Sequence, residues 1–372
     1  MHIGIPRETR EGETRVAATP ETTKKLVALG HQVTIEHDAG TPARFPDQAY
    51  VEAGATLGDA ASAMGCELVL KVRAPSAAEL PHFKTGSVLV GMLDPFDDAC
   101  LAQLAQAGLT AFALEAAPRT TRAQSLDVLS SQANLAGYKA VLLAANAYGR
   151  LFPMMMTAAG TLKAARVVVL GAGVAGLQAI ATAKRLGAVV EASDVRPAAK
   201  EQIESLGAKF IDVPFETDEE REIAQGVGGY ARPMPQAWMQ RQAALVAQRC
   251  QQADIVITTA LIPGRPAPEL ISAQTVEHMK PGSVIVDLAV ERGGNCPLSV
   301  AGRTVEHHRV VIVGQTNLPA LVPTDASALY ARNVLDFLKL IVNGEGQLAI
   351  NHEDDIVQAC LMCQAGTVLR KN

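Results

Sequence analysis

The sequence lacks the features that mark several classes of protein. No apolar run reaches the roughly 18 residues of a membrane-spanning helix, since the best candidate is broken by Asn146, Gly149, Arg150 and Pro153. There is no basic run, and the formal net charge is only -5, so composition gives no basis for nucleic-acid binding. The first residues do not resemble a signal peptide. We therefore expect a cytoplasmic chain with no membrane span of its own.

Cysteine and histidine are not spaced as metal ligands. Of the 6 cysteines, only Cys360 and Cys363 form a C-x-x-C pair, with no second pair or histidine beside it. Their apolar context, ACLMC, indicates one turn of a buried helix. The 8 histidines form no H-E-x-x-H or similar pattern. We predict no metal site.

The sequence contains enough apolar residues to form large hydrophobic cores. Hydrophobic residues make up 48% and charged residues 19% of the 372 positions, which is typical of α/β proteins and argues against disorder. A chain of this length favours two domains over one.

The most informative stretch is 166–196, RVVVLGAGVAGLQAIATAKRLGAVVEASDVR. A β-branched run is followed by Gly171, Gly173 and Gly176 in the G-x-G-x-x-G pattern, then by an apolar helix and a second strand ending in Asp194. The first glycine permits a sharp turn, the second lets backbone approach a pyrophosphate, and the third lets helix pack on strand. The alternative is a glycine-tightened turn that binds nothing.

This context predicts a dinucleotide site. The N-terminus of the helix would present unpaired N–H groups to the phosphates. Asp194 would accept hydrogen bonds from the adenosine ribose and repel a 2′-phosphate, which favours NAD(H) over NADP(H).

Strands and helices alternate through the first 115 or so residues, which predicts a parallel sheet covered on both faces. This region has no glycine fingerprint of its own. Its predicted strands are His2–Pro6, His31–His37, Glu67–Val72, Ser87–Leu93 and Thr110–Leu114, and its predicted helices are Pro20–Leu29, Pro46–Ala53, Leu57–Met64 and Ala99–Ala107.

A long helix over 129–151, with Ser130 or Ser131 able to cap its start, would connect this domain to a doubly wound dinucleotide domain. Residues 214–236 read as a long loop, acidic and then rich in glycine and proline, for which a mobile lid is favoured over a passive excursion. The predicted strands of the second domain are Arg166–Leu170, Val189–Ser193, Lys209–Val213, Asp254–Thr258, Ser283–Leu288 and Val310–Val313.

The apolar segment 326–342 predicts a further helix that returns to the first domain. The expected fold is therefore α/β, with two Rossmann-like doubly wound parallel-sheet domains, the first of them discontinuous, linked by long helices with a nucleotide cleft between them. Its domains would be 1–130 plus 320–372, and 131–319, the second carrying the loop 214–236.

A polar loop, Pro118–Asp127, follows the last strand of the first domain. Arg119, Gln124 and Asp127 offer a cation, an amide and a carboxylate, which suit a carboxamide and a ribose. Composition alone is equally compatible with a solvated loop.

Several motifs resemble one family across nearly the whole chain: GIPRET, ETRVAATP, PRTTRAQSLDVLSSQANLAGYKAV, the glycine stretch through SDVRP, VGGYA and VDLAVERGGN. It is the family of alanine dehydrogenases and the NAD(H)-binding component of proton-translocating nicotinamide nucleotide transhydrogenase. The resemblance implies catalytic roles for Arg119, Gln124 and Asp127. It implies cofactor contacts from Ser130, Gly171, Gly173, Val174, Gly176, Asp194, Val195, Arg196, Gly229, Tyr230, Ala260 and Leu261.

Two activities in this family must be separated. Alanine dehydrogenases bind pyruvate through an arginine and a lysine, present here as Arg15 and Lys71, and use a histidine and an aspartate in catalysis. Here the strand at 88–93 has no histidine, and Glu291 stands before Arg292-Gly293-Gly294. Direct hydride transfer between two nicotinamide rings needs orientation and no acid or base, which favours the transhydrogenase.

The resemblance then implies a peripheral subunit that binds NAD(H), with NADP(H) on a partner component and proton translocation in a separate membrane-spanning subunit. It also implies a homodimer held at the inner face of the cytoplasmic membrane through its partners. The alternatives are an NAD-dependent alanine or other amino-acid dehydrogenase, and a non-catalytic NAD(H)-binding regulatory module.

Overall fold

The computed structural model describes residues 1–196, 199–225, 234–262 and 264–370. In chain order the strands are β1 His2–Ile5, β2 Gln32–Glu36, β3 Thr56–Gly58, β4 Leu68–Arg73, β5 Val88–Met92, β6 Thr110–Ala113, β7 Met155–Thr157, β8 Gly160–Leu162, β9 Arg166–Leu170, β10 Val189–Ser193, β11 Lys209–Phe210, β12 Ile255–Thr258, β13 Val284–Asp287, β14 Arg303–His307, β15 Val310–Gly314, β16 Leu361–Gln364 and β17 Thr367–Val368.

The helices are α1 Pro20–Ala28, α2 Asp47–Glu52, α3 Ala60–Met64, α4 Asp98–Gln106, α5 Val128–Ala147, α6 Val174–Arg185, α7 Ala199–Ser205, α8 Asp218–Gln225, α9 Gln236–Gln252, α10 Ala273–Glu277, α11 Pro323–Ile341 and α12 Asp355–Cys360. Within the described ranges, none of them combines the length and apolar character needed to cross a bilayer.

The chain divides into two compact units. Unit 1 is Met1–Gln132 with Pro319–Asn372, and unit 2 is Ala133–Leu318. Each unit is built on its own predominantly parallel sheet, which confirms the predicted α/β parallel-sheet class.

The sheet of unit 1 has the order β17-β16-β6-β5-β4-β1-β2-β3. Strands β1 to β6 pair in parallel, while β16 pairs antiparallel with β6. Alternate residues of one strand join different cores: Leu68 and Leu70 pack into one cluster, Val69 into another. The sheet is thus buried on both faces, as parallel sheets are.

Two predictions for unit 1 are wrong. Residues 56–58 form strand β3 and not the start of a helix, because they pair with β2 at the sheet edge. Cys360 and Cys363 do not share a helical turn, since Cys360 ends α12 and Cys363 lies in β16. Both errors concern short segments whose partners are distant in sequence, so local periodicity does not identify them.

The sheet of unit 2 has the order β11-β10-β9-β12-β13-β15-β14. All pairs are parallel except β14 with β15. Strand β14 was not predicted, because its sequence RTVEH is polar and largely exposed. Strand β11 covers only 209–210 of the predicted 209–213. The chain order reverses between β9 and β12, which is where α/β sheets bind ligands.

Helix α5 begins earlier than predicted. Its cap is neither Ser130 nor Ser131: the Asp127 carbonyl accepts the Ser131 N–H at 3.2 Å, and the Asp127 carboxylate accepts the Ser130 N–H at 2.9 Å. The helix crosses the boundary between the units and ends at Ala147. A Cβ at Gly137 would lie 2.1 Å from the Ala175 carbonyl oxygen, so this glycine permits close packing against α6.

The expected loop at 214–236 is partly helical. Helix α8 covers Asp218–Gln225, with three acidic residues in its first turn, where they complement the helix dipole. The glycine-rich part, including the candidate cofactor residues Gly229 and Tyr230, falls outside the described residues. The prediction of one continuous loop is therefore wrong for its first half.

Candidate nucleotide-binding site

The glycine turn follows β9 and has the geometry that a dinucleotide turn requires. Gly171 adopts φ +96°, a conformation that favours glycine. A Cβ at Gly176 would lie 1.8 Å from the Gly171 carbonyl oxygen, so helix and turn touch at this point. A Cβ at Gly173 would meet no described atom within 4 Å. The first and third glycines are required by the fold, whereas the second leaves space for a ligand.

Gly173 also occupies the cap position of α6, and no side chain caps this helix. The first N–H groups of a helix have no partner within it and carry partial positive charge. Together with the open space at Gly173, they fit the pyrophosphate of a dinucleotide.

Asp194 follows β10 and is only 8% exposed. Its carboxylate accepts the N–H groups of Ala172, at 2.7 Å, and Arg196, at 2.8 Å. The Arg196 guanidinium donates to the same two oxygens at 2.9 and 3.0 Å. Burial by itself would raise the pKa of Asp194, but these donors outweigh it and lower the pKa below 3.8. The residue is therefore ionised at neutral pH and links the glycine turn to β10.

Three apolar side chains at the carboxyl ends of neighbouring strands are exposed. Val174 follows β9, Val195 follows β10 and Leu261 follows β12, with 39%, 50% and 51% exposure. Exposed aliphatic groups beside an open turn are suited to contact the flat faces of nucleotide rings.

The segment that carries Ala260 and Leu261 is fixed by a buried amide. Asn295 accepts the Ala260 N–H at 3.1 Å and donates to the carbonyls of Ala260, at 2.9 Å, and Pro268, at 2.7 Å. Asn295 is fully buried. Sequence reasoning missed this residue.

Asp287, at the end of β13, holds Asn295 in turn. This fully buried carboxylate accepts the N–H groups of Asn295, at 2.9 Å, and Cys296, at 3.2 Å, and the Ser299 hydroxyl, at 2.7 Å. An aspartate that ends the apolar strand VIVD is the signal in the sequence that could have identified it.

The polar loop lies in unit 1, whereas the glycine turn lies in unit 2. Arg119 and Gln124 are exposed, and within the described residues their side chains have no hydrogen-bonding partner. Asp127 accepts both the N–H and the hydroxyl of Ser130, at 2.9 and 2.5 Å. The loop thus presents a cation and an amide to its surroundings, with Asp127 and Ser130 paired behind them.

Unit 1 also contains a buried ion cluster, formed by Glu8, Glu13, Arg15, Lys71, Arg73 and Glu79. Arg15 is 2% exposed and pairs with Glu13 through Nε at 2.7 Å and Nη2 at 2.6 Å. Lys71 is 1% exposed, and its Nζ lies 3.0 Å from Glu79 and 3.4 Å from Glu8.

The cations of the ion cluster are paired within the chain. Burial opposes ionisation of Glu13, but Arg15 and Arg73 lower its pKa to about 2. Burial likewise opposes the charge on Lys71, yet Glu8 and Glu79 raise its pKa above 10.5. Arg15 and Lys71 are therefore already paired with carboxylates of this chain.

Two other positions bear on acid–base chemistry. Strand β5 is buried along its length and reads Val-Leu-Val-Gly-Met, with no imidazole. Glu291 is exposed in a short helical turn, Val290–Arg292, that ends at Gly293 with φ +98°. Neither position supplies a buried histidine or aspartate.

The strand order of unit 2, with a glycine turn at the point of reversal, defines a Rossmann-type α/β protein. Family comparison makes the assignment specific. The chain belongs to the alanine dehydrogenase/PNT family: the N-terminal domain of that family matches residues 4–136, and the C-terminal domain matches residues 140–371. The resemblance stated from the motifs is confirmed.

Individual relatives agree. The chain is 50% identical to an NAD(P) transhydrogenase subunit alpha protein of Rhodospirillum rubrum, over 99% of this chain and 98% of that protein. It superposes on the crystal structure of transhydrogenase from Sinorhizobium meliloti with a TM-score of 0.90 and 50% identity, covering 99% of this chain and 100% of the other. It is 31% identical to alanine dehydrogenase of Mycobacterium tuberculosis, over 87% of this chain and 82% of that enzyme.

Proposed function

We propose that this chain is the NAD(H)-binding peripheral subunit of a proton-translocating NAD(P) transhydrogenase. Hydride would pass directly between NAD(H) held here and NADP(H) held on a partner component. The observation that carries the proposal is the glycine turn of unit 2, which is open at Gly173 and backed by an ionised Asp194. Relatives named as transhydrogenase subunit alpha, at 43 to 50% identity, support a transhydrogenase role.

The described residues fit NAD(H) in a particular way. The α6 N-terminus would take the pyrophosphate at Gly173, between the fold-required Gly171 and Gly176. Asp194 has four donors, which fills its acceptor capacity. A ribose hydroxyl would therefore replace the Arg196 guanidinium, the most exposed of these donors, while the backbone N–H groups stay in place. The buried carboxylate would repel a 2′-phosphate.

The rings of the dinucleotide and its nicotinamide end would be held by other residues. Val174, Val195, Ala260 and Leu261 would contact the rings and their linkage on unit 2. The polar loop would contribute Arg119 and Gln124 to the carboxamide and ribose, with Asp127 and Ser130 behind them. Gly229 and Tyr230 would belong to the segment that covers the bound nucleotide.

When bound, the nicotinamide supplies or accepts the hydride itself. The protein then needs only to orient the ring and exclude water, because no proton moves with the hydride. Arg119 and Gln124 are suited to this task as an exposed cation and an exposed amide, and neither has to change its protonation state.

An alanine dehydrogenase is the second candidate, favoured by relatives named as such at 29 to 31% identity. Two observations oppose it. The β5 strand has no imidazole that could move a proton. Arg15 and Lys71, the cations expected to bind an oxo acid, are paired with Glu13, Glu8 and Glu79. A free carboxylate substrate would have to compete with these internal partners.

We further propose the assembly implied by the family resemblance: a homodimer that binds an NADP(H)-binding component and a membrane-spanning subunit at the cytoplasmic face of the membrane. The hairpin β7–β8 supports a dimer, because it exposes apolar side chains at Met155, Met156 and Leu162, with 43%, 75% and 45% exposure. Exposed apolar groups of this kind are typical of association surfaces.

A three-step assay tests the function. NADH fluorescence titration with the purified chain measures binding. NADH oxidation with pyruvate and ammonium tests the dehydrogenase. Hydride exchange between NADPH and an oxidised NAD analogue, after addition of an NADP(H)-binding component, tests the transhydrogenase. We expect binding, no oxidation by the chain alone, and exchange only with the second component. Turnover with pyruvate would overturn the proposal, and binding with silence in both activity assays would indicate a regulatory module.

A further inference from the structure

The polar loop is fixed from behind by two elements of unit 1. Its short helical turn, Thr121–Leu126, buries Ala123 and Leu126 in the core, both at 2% exposure. Its outer edge is tied by Arg122, which donates to Asp354 at 2.6 and 2.8 Å just before α12. Neither contact involves the backbone carbonyl of Ser125, which needs a separate hydrogen-bond donor.

That contact comes from Asn333 on helix α11. Its amide Nδ2 donates to the Ser125 carbonyl at 2.7 Å, and its Oδ1 accepts the Ser131 hydroxyl at 2.7 Å. Asn333 is 8% exposed, so both bonds are sheltered from water. One side chain therefore joins the polar loop to the first turn of α5.

The same network reaches the ion cluster. Gln132, 6% exposed, accepts from Arg15 Nη1 at 2.8 Å and donates to the Ala326 carbonyl of α11 at 3.1 Å. Arg15 is held bidentately by Glu13. Helix α11, which carries Asn333, is thus linked through Gln132 to the buried pair of Arg15 and Glu13.

We propose that Asn333 is a positioning residue for hydride transfer, which holds the polar loop through the Ser125 carbonyl so that the backbone carrying Arg119 and Gln124 keeps one position. The functional part of this inference rests on the proposed function. Among the described residues, the Asn333 side chain hydrogen-bonds to the Ser125 carbonyl and the Ser131 hydroxyl, and to none of the residues assigned to the nucleotide. Its effect is therefore on the geometry of the loop and not on the chemistry of the bound ring.

The sharpest variant is Asn333→Asp. It keeps the volume and the acceptor for Ser131, but an ionised carboxylate cannot donate to the Ser125 carbonyl. Asn333→Ala removes both bonds. Arg332→Ala is the matched control, because Arg332 is the preceding residue of α11, is exposed, and pairs only with the surface residue Glu21 among the described residues.

Two kinds of measurement are needed, one of the order of the polar loop and one of nucleotide binding and hydride transfer. Amide hydrogen exchange of peptides covering the polar loop reports its order in the full chain and does not depend on any activity. Hydride exchange with the NADP(H)-binding component, and the NADH Kd, report function. We expect both Asn333 variants to raise exchange in the polar loop and to slow hydride transfer about tenfold to a hundredfold. The NADH Kd should change less than threefold, and Arg332→Ala should behave as wild type.

Unchanged loop exchange in both Asn333 variants would overturn the inference. So would raised loop exchange with an unchanged hydride-transfer rate, since the loop would then be held without functional consequence. A parallel loss of NADH binding and thermal stability would also overturn it, because the role would be merely structural. A wild-type chain that shows no hydride transfer with its partner component fails the proposed function instead, and the hydrogen-exchange comparison still decides whether Asn333 orders the loop.

Discussion

The three glycines of the turn should separate cleanly into structural and ligand-binding positions. The test is a pair of alanine substitutions three residues apart, Gly173→Ala and Gly176→Ala. At Gly176 the new Cβ would lie 1.8 Å from the Gly171 carbonyl oxygen, 1.6 Å short of the 3.4 Å at which ordinary contact begins. Helix α6 and the turn would have to move apart. At Gly173 the new Cβ would meet no described atom within 4 Å.

The magnitudes follow from these contacts. Overpacking of this kind costs about 1–3 kcal/mol or more, so Gly176→Ala should lower the melting temperature by several degrees. Gly173 has φ −75° at the cap of α6, so Gly173→Ala should cost less than about 1 kcal/mol of stability. In the proposed binding mode, however, the pyrophosphate would occupy the space that this methyl group takes. Gly173→Ala should therefore raise the NADH Kd at least about tenfold, which is about 1.4 kcal/mol.

The assay combines thermal unfolding of the ligand-free chain with NADH fluorescence titration. For Gly173→Ala we expect a melting temperature close to that of wild type and greatly weakened binding, and for Gly176→Ala a loss of both. If Gly173→Ala binds NADH as wild type does, the open space at Gly173 does not receive the pyrophosphate, and the assignment of the turn is wrong.

Three further predictions concern charged and buried groups. Glu13 has a folded-state pKa of about 2 against 4.5 for the free group, so it contributes about 3 kcal/mol of stability above pH 4.5. This contribution is lost as the pH falls from about 4.5 to 2. In Glu13→Gln, the free energy of unfolding measured in urea should therefore depend less on pH over that range. Arg196→Ala removes the donor that a ribose would replace, so NADH should bind at least as tightly as to wild type, and a tenfold weaker affinity would show that Arg196 contacts the nucleotide. Asn295→Ala removes the hydrogen-bonding partner of the Ala260 and Pro268 backbone groups and should cost about 1–3 kcal/mol of stability, with weakened NADH binding. Unchanged thermal unfolding would show that Asn295 does not fix this segment.

The local parts of the site were predictable from sequence because their causes are local. A positive φ at Gly171 and the contact between Gly176 and Gly171 arise within six residues of each other. The buried strands β9, β12 and β13 are continuous apolar runs, which is how strands covered on both faces read. Asp194 is identified by the apolar strand that it follows, although its bond to the Ala172 N–H spans 22 residues.

Segments whose conformation depends on a partner were missed. Strand β14 is polar and largely exposed, and it is a strand only because it pairs with β15. Strand β16 follows a helix without any turn signal and is defined by its pairing with β6. Helix α8 was missed for a different reason: the glycines and prolines that follow it favoured a loop, although its acidic first turn is a helix signal.

The sequence by itself determined the α/β class, the position of the glycine turn and the family. Only the tertiary structure decided how the polar groups of unit 1 are used. Arg15 and Lys71 read as candidate ligands for an oxo acid, yet in the fold they pair with Glu13, Glu8 and Glu79. The bond from Asn333 to Ser125 spans 208 residues. The physical reason is that a buried charge or amide takes whichever partner the packing brings within about 3 Å, and no spacing along the chain encodes that choice.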